Sequence, residues 1–134
     1  MPFSRKGLVR QLSSSAGDGY SVKDATYAAD HVNADWNEQA AKAAKSYLET
    51  MPFSRKGLIR QLSSSAGDGY TAGQATYATD HLQADWNEQA TRAAKNYLEM
   101  MPFSRAAMIQ QLSSSAGDGY TVQQATFGAK KAGL

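Results

Sequence analysis

With 134 residues, 42% of them hydrophobic, and no cysteine, the chain is too short for a typical multidomain enzyme and cannot carry a disulfide, a thiolate metal site or a cysteine nucleophile. No stretch approaches the roughly 18 apolar residues of a membrane span. The opening run from Met1 to Arg10 also lacks the apolar core of a secretory signal. Fourteen Lys and Arg against twelve Asp and Glu leave a net charge of +2, far from the basicity of proteins that grip phosphate backbones.

Internal repetition sets the organisation. The string MPFSRKGL opens at Met1 and again at Met51, and MPFSR returns at Met101, a period of 50 residues; positions 1–50 and 51–100 agree at 38 places. Near-identical copies imply one structural unit used more than once, presenting the same surface at a regular interval. Cut ahead of the tryptophan-bearing segment, the chain divides into an incomplete pair of helices at 1–34 and two three-helix units at 35–84 and 85–134. The first pair has no tryptophan helix before it, which leaves Leu8, Val9 and Leu12 short of cover. Either the chain extends upstream or that pair packs on its neighbour as a solenoid end. A unit of about 50 residues is near the lower limit for folding alone, so contact between copies is expected.

Within one period the elements follow in order. Asp35 and Glu38 make an acidic helix start, and Trp36, Ala40, Ala43, Ala44, Tyr47 and Leu48 recur at helical spacing, which predicts an amphipathic helix. Glu38 stands four before Lys42 in the favourable order, and Pro52 limits the C-terminal end. The next helix runs from Arg55 to about Ser65. Ser54 caps it, Phe53 staples onto Leu58, and Leu58, Ile59 and Leu62 form its apolar side. It breaks at Ala66-Gly67-Asp68-Gly69, where glycine tolerates the positive φ of a helix exit. The last helix starts at Thr71 with Gln74 as a capping box, paralleled by Thr121 with Gln124 and more weakly by Ser21 with Asp24, and ends near Leu82. Ala75, Ala78 and Leu82 share one side with Tyr77 on the flank; Tyr20, Tyr70 and Tyr120 are read as staples. Period-two alternation is absent and alanine is abundant, so the fold class is all-α: tandem three-helix, helix-turn-helix-like repeats of 50 residues.

The residues from Asp80 to Ala90 (DHLQADWNEQA), followed by Ala93-Ala94-Lys95-Asn96-Tyr97-Leu98 and Met101-Pro102-Phe103-Ser104, resemble the Ltp family of host-cell surface-exposed lipoproteins. The resemblance covers essentially the whole chain. It implies superinfection exclusion: an anchored surface protein that obstructs DNA injection by an incoming phage by engaging its tape-measure protein, a binding function without chemistry. The implied location is the extracytoplasmic cell surface, held by a lipid anchor upstream of this chain. The family's signal peptide and lipid-bearing cysteine are absent here, and the long Ser63–Tyr70 connection with its AGDG turn is similar to the actinobacterial form of the family.

Candidate chemistry is sparse. His31 and His81 are the same repeat position, and the third copy has Lys131 there, so no ligand set converges and a structural or solvent-facing role is expected. The serines at 13–15 and 63–65 lack a G-x-S-x-G context and a paired base, which favours backbone hydrogen bonding. The AGDG segment offers one carboxylate and no Gly-Lys-Ser/Thr ending, so it reads as a turn rather than a calcium or phosphate loop. Trp36, Trp86, Leu58, Leu62, Tyr47, Tyr97, Phe53 and Phe103 are expected to be structural. No catalytic residue, metal site or cofactor is expected.

The alternative to protein binding is a helix-turn-helix DNA reader. Charge opposes it, since 1–34, 35–84 and 85–134 carry net charges of +1, 0 and +1, and Thr71–Leu82, the helix that would enter a groove, has no Lys or Arg. The favoured reading is a non-enzymatic repeat module whose partner is a phage tape-measure protein or a cell-envelope protein, with avidity from repetition. Its contact face is expected at Arg55, Lys56, Arg60 and Gln61, with Arg105 and Gln110 of the next copy.

Overall fold

The computed structural model describes residues 2–134. Among them are eight helices and no strand: α1 (Arg5–Ser13), α2 (Val22–His31), α3 (Trp36–Thr50), α4 (Arg55–Ser63), α5 (Ala72–His81), α6 (Trp86–Met100), α7 (Arg105–Ser113) and α8 (Val122–Lys131). Each start is fixed by a side chain that takes up a free backbone N–H. Ser4, Ser54 and Ser104 accept from Gly7, Gly57 and Ala107 at 2.8, 2.9 and 3.0 Å. Asp85 accepts from the Glu88 N–H at 3.1 Å, and Asp35 does so from Asn37 and Glu38 at 3.0 and 3.2 Å. Thr71 with Gln74 and Thr121 with Gln124 close full capping boxes. At α2 only the Ser21 half forms, because the Asp24 side chain is one methylene shorter than the glutamine of the later copies.

The exit of α4 corrects the sequence expectation in one detail and sharpens it in another. The helix ends at Ser63, two residues early, because the chain folds back and supplies other donors to the last carbonyls: Gly69 N–H to Ser64 O and Tyr70 N–H to Leu62 O, both 2.9 Å. Only the second glycine of AGDG needs a positive φ, at 74°, 73° and 77° for Gly19, Gly69 and Gly119. The first is required for close approach. A Cβ at Gly117 would lie 2.9 Å from the Gln111 carbonyl oxygen, inside van der Waals contact.

The residues sort into two compact units, one made of Met1–Lys45 and Ile59–Leu82, the other of Ser46–Leu58 and Gln83–Leu134. In the second, Ala90, Ala93 and Ala94 of α6 form a seam against Met108 and Leu112 of α7 and Ala125 and Ala129 of α8, with Tyr120 closing the end. Alanine at these positions lets the helices meet nearly backbone to backbone. A Cβ at Gly128 of α8 would come within 2.7 Å of the Ala90 carbonyl carbon. Phe103, Tyr97 and Leu98 pack around this core, and the Tyr97 and Phe103 rings meet edge to face at 5.6 Å.

In the first unit α1 lies against α2, and Ala25 and Ala29 are buried between the elements. Leu62, Tyr70, Ala75, Ala78 and, on α3, Ala40, Ala43 and Ala44 are buried as well. Leu8, Val9 and Leu12 are only half-buried.

Candidate protein-binding surface

Within the first unit, four residues of the first copy grip the turn of the second. Ser4, already capping α1 through its lone pairs, donates its hydroxyl to the Asp68 carbonyl and is buried. One hydroxyl thus serves as acceptor for its own helix and donor to the next copy. Arg10 reaches the Ser65 and Gly67 carbonyls at 3.0 and 3.4 Å. Gly7 lies under the Asp68 carbonyl, where an added Cβ would sit 3.6 Å away, and the aliphatic stem of Lys6 runs along Gly69.

The second unit repeats this arrangement. Ser54 donates to the Asp118 carbonyl, and the stem of Lys56 lies along Gly119. A second contact joins α6 to the residues before it: Arg92 donates to the Leu48 carbonyl at 2.9 Å and to Gln89 at 3.2 Å, and Gln89 in turn accepts from the Phe53 N–H.

The same turn carries a polar cluster. The Tyr97 hydroxyl donates to the Asp118 carboxylate at 3.0 Å and accepts from Gln111 at 3.2 Å. Burial holds the Asp118 carboxyl above the usual carboxylate range, against the lowering effect of that hydroxyl. Burial, followed by the Asp118 charge, raises the Tyr97 and Tyr120 hydroxyls too. The Tyr120 hydroxyl is buried and has no hydrogen-bond partner among the described residues.

The charged side chains singled out from the sequence fall as follows. Arg55 and Lys56, and Arg105 and Gln110, are exposed in the second unit; in the first unit Arg60 is exposed and Gln61 half-buried. Arg55, Arg60 and Gln61 each also make an intramolecular interaction. Arg105 donates to the Leu134 carbonyl at 3.0 Å. In the first copy, the equivalent Arg5 instead forms a two-pronged ion pair with Asp30, 2.5 Å from Oδ1 and 3.1 Å from Oδ2, which lowers that carboxyl. The third copy has Lys130 at the position of Asp30, so that pair has no acid.

Of the residues expected to be structural, Leu58 and Leu62 are fully buried. Trp36, Trp86, Tyr47, Tyr97, Phe53 and Phe103 are half-buried.

The histidines stack on tyrosine one turn earlier, His31 on Tyr27 and His81 on Tyr77, with centroids 3.8 Å apart. Each Nδ1 donates to the carbonyl of that tyrosine, at 2.7 and 2.8 Å. In the third copy Lys131 lies over Phe127 at 6.0 Å, a cation on the ring face in place of the stack. The serines bond backbone: Ser63 to Ile59 O and Ser113 to Ile109 O at 2.7 Å.

A family model described as host cell surface-exposed lipoprotein (Ltp) matches residues 1–32, 35–82 and 85–131. The chain belongs to this family. A solved structure of Ltp, a superinfection exclusion protein from the Streptococcus thermophilus temperate phage TP-J34, is similar to it, with 31% identity and a TM-score of 0.64 over 70% of this chain and 92% of that one. No curated protein gives a significant match. The all-α fold of this Ltp-family chain agrees with that relative, and no helix among the described residues is long and apolar enough to cross a membrane.

Contact between copies was expected, but the residues that make this grip were not picked out from the sequence, although a signal for them was present. Lys6, Gly7 and Arg10 recur as Lys56, Gly57 and Arg60, and all three change together in the third copy, to Ala106, Ala107 and Gln110.

Proposed function

We infer that this Ltp-family chain is a non-enzymatic protein-binding module of a cell-surface lipoprotein and that it acts in superinfection exclusion, obstructing phage DNA injection. The observation that carries this reading is the 31% identity to the phage TP-J34 exclusion protein over 92% of that chain, together with three successive family matches. The proposed partner is a protein, either the phage tape-measure protein or a component of the cell envelope. A surface built from side chains that mostly hold backbone carbonyls and one another suits binding better than bond-making. The proposed contact residues are the exposed Arg55, Lys56, Arg105 and Gln110 of one unit, and Arg60 with Gln61 of the other. Two such sets on one chain act at high effective concentration on a partner with matched sites.

The test is to display the chain on a phage-sensitive host behind a lipoprotein leader, with surface exposure verified by antibody. Plaque formation should fall while adsorption stays normal and entry of phage DNA declines. Charge reversal at Lys56 and Arg105 should restore plaques without changing the helical spectrum. Normal plaquing by a host that displays the intact chain would refute the reading.

A further inference from the structure

The first copy holds an acid between two of its helices where the third copy has none. Arg5, the first residue of α1, grips the Asp30 carboxylate of α2 with two donors, and His31 follows it. In the third copy the same three positions are Arg105, Lys130 and Lys131. With histidine counted as neutral, the trio carries no net charge in the first copy and +3 in the third.

Nothing nearby offsets that charge. α7 (RAAMIQQLS) and α8 (VQQATFGAKK) carry no acid, whereas α2 has Asp24 and Asp30. Among the described residues none of the three cations forms an ion pair. Arg105 donates its Nε to the Leu134 carbonyl, and Lys131 rests over the Phe127 ring. Asp118, at the turn between the two helices, is half-buried and engaged by the Tyr97 hydroxyl.

Helix electrostatics explain the lysines, since cations in the last turn of α8 complement its negative end. They do not explain Arg105. It opens α7, where the positive helix end disfavours a cation, and it stands there without the acid that offsets Arg5. All three side chains are exposed. That exposure belongs to the positions themselves, because Arg5, Asp30 and His31, with further copies after them, are exposed as well.

We propose that Arg105, Lys130 and Lys131 form a receptor for an acidic protein segment, whose carboxylate Arg105 grips as Arg5 grips Asp30, with the two lysines beside it. The first copy shows that this arginine position suits a planar carboxylate, which meets two of its donors at once. Three cations drawn from two helices onto one spot fit one or two carboxylates rather than the row of phosphates along a nucleic acid. The proposal deepens the protein-binding reading and rests on it, while phage exclusion is a separate claim.

The experiment titrates the full chain, 15N-labelled, with capped hexaglutamate. Shifts should concentrate at Arg105, Phe127, Lys130 and Lys131, and capped hexaglutamine should cause none. Lys130→Asp, which rebuilds the first copy's pair inside the third, should weaken binding by about tenfold or more while leaving the rest of the spectrum unchanged. Conversely, Asp30→Lys combined with His31→Lys should install a second site around Arg5. Raising the salt from about 50 to about 500 mM should weaken binding, as contact between exposed charges requires. The proposal is overturned if shifts spread evenly over the lysines and arginines of the chain, or if K130D binds like the parent. It is equally overturned if duplex DNA, inorganic phosphate or vesicles of anionic lipid engage the cluster more tightly than the peptide does. No phage enters the titration, so a host that plaques normally would refute exclusion and leave the receptor standing, whereas a failed titration would remove the receptor and leave exclusion standing.

Discussion

The first helix pair and the last trio use nearly the same residues and reach different degrees of burial. Leu12 and Leu112, Tyr20 and Tyr120, Asp18 and Asp118 hold the same sequence positions, yet the first of each couple is half-buried or exposed while the second is buried or half-buried. What separates them is α6, whose alanine seam lies over α7 and α8. The lesson is that burial here belongs to the trio: a pair of these helices carries the apolar residues of a core without enclosing them.

The largest test of this contrast removes a core side chain from each side. Leu112→Ala should cost about 2–5 kcal/mol, since the cavity is enclosed, and Leu12→Ala about 1 kcal/mol or less. Urea unfolding of the full chain, with native-state hydrogen exchange to locate the loss, reads both; equal costs would erase the distinction. Next, Gly128→Val should destabilise by about 1–3 kcal/mol, because the Ala90 backbone leaves no room, whereas Ala28→Val should stay within about 0.5 kcal/mol. Smaller still, Tyr120→Phe removes a buried hydroxyl that has no hydrogen-bond partner among the described residues and should be neutral or stabilise by about 1 kcal/mol, while Tyr20→Phe should change nothing.

The weakest effects concern pH and carry opposite signs. The Asp118 carboxyl titrates above its ordinary 3.8 in the folded chain, so the folded state favours its protonated form. Stability from this group is present below the ordinary value and lost as pH rises through the folded one. Asp118→Asn, which keeps an acceptor for Tyr97, should flatten that slope. Asp30 titrates below its ordinary 3.8, so its contribution is present above that value and lost as pH falls through the folded one. Being exposed, the Arg5–Asp30 pair contributes little. Urea midpoints of D118N and D30N between about pH 3 and pH 6 should therefore diverge from the parent in opposite directions.

Much of this was legible locally. The capping boxes at Thr71 and Thr121, the Asp85 cap and the Glu38–Lys42 pair, at 3.8 Å, involve partners three or four residues apart, within reach of periodicity and cap chemistry. The hydrogen bond of Ser4 to Asp68 was not, because its partners stand 64 residues apart and nothing in either local string marks the pairing. The glycine turn was legible, but not which of Gly67 and Gly69 takes the positive φ, since composition cannot distinguish a positive φ from a close approach. For the contact face, charge patterning picked out Arg60, which proves to have an intramolecular interaction, because a sequence gives a side chain's charge and not its neighbours.

By itself the sequence determined the 50-residue period, the helical class, the helix starts and the alanine seams, because each rests on interactions within about one turn of helix or on repetition itself. That the first copy's Leu8, Val9 and Leu12 lack cover was also legible, from the missing tryptophan helix before them; only the tertiary structure decided how one serine caps its own helix while holding the next copy's turn, and where a carboxylate is desolvated. Those outcomes depend on which neighbour covers a position, and identical strings at Tyr20 and Tyr120 have different neighbours.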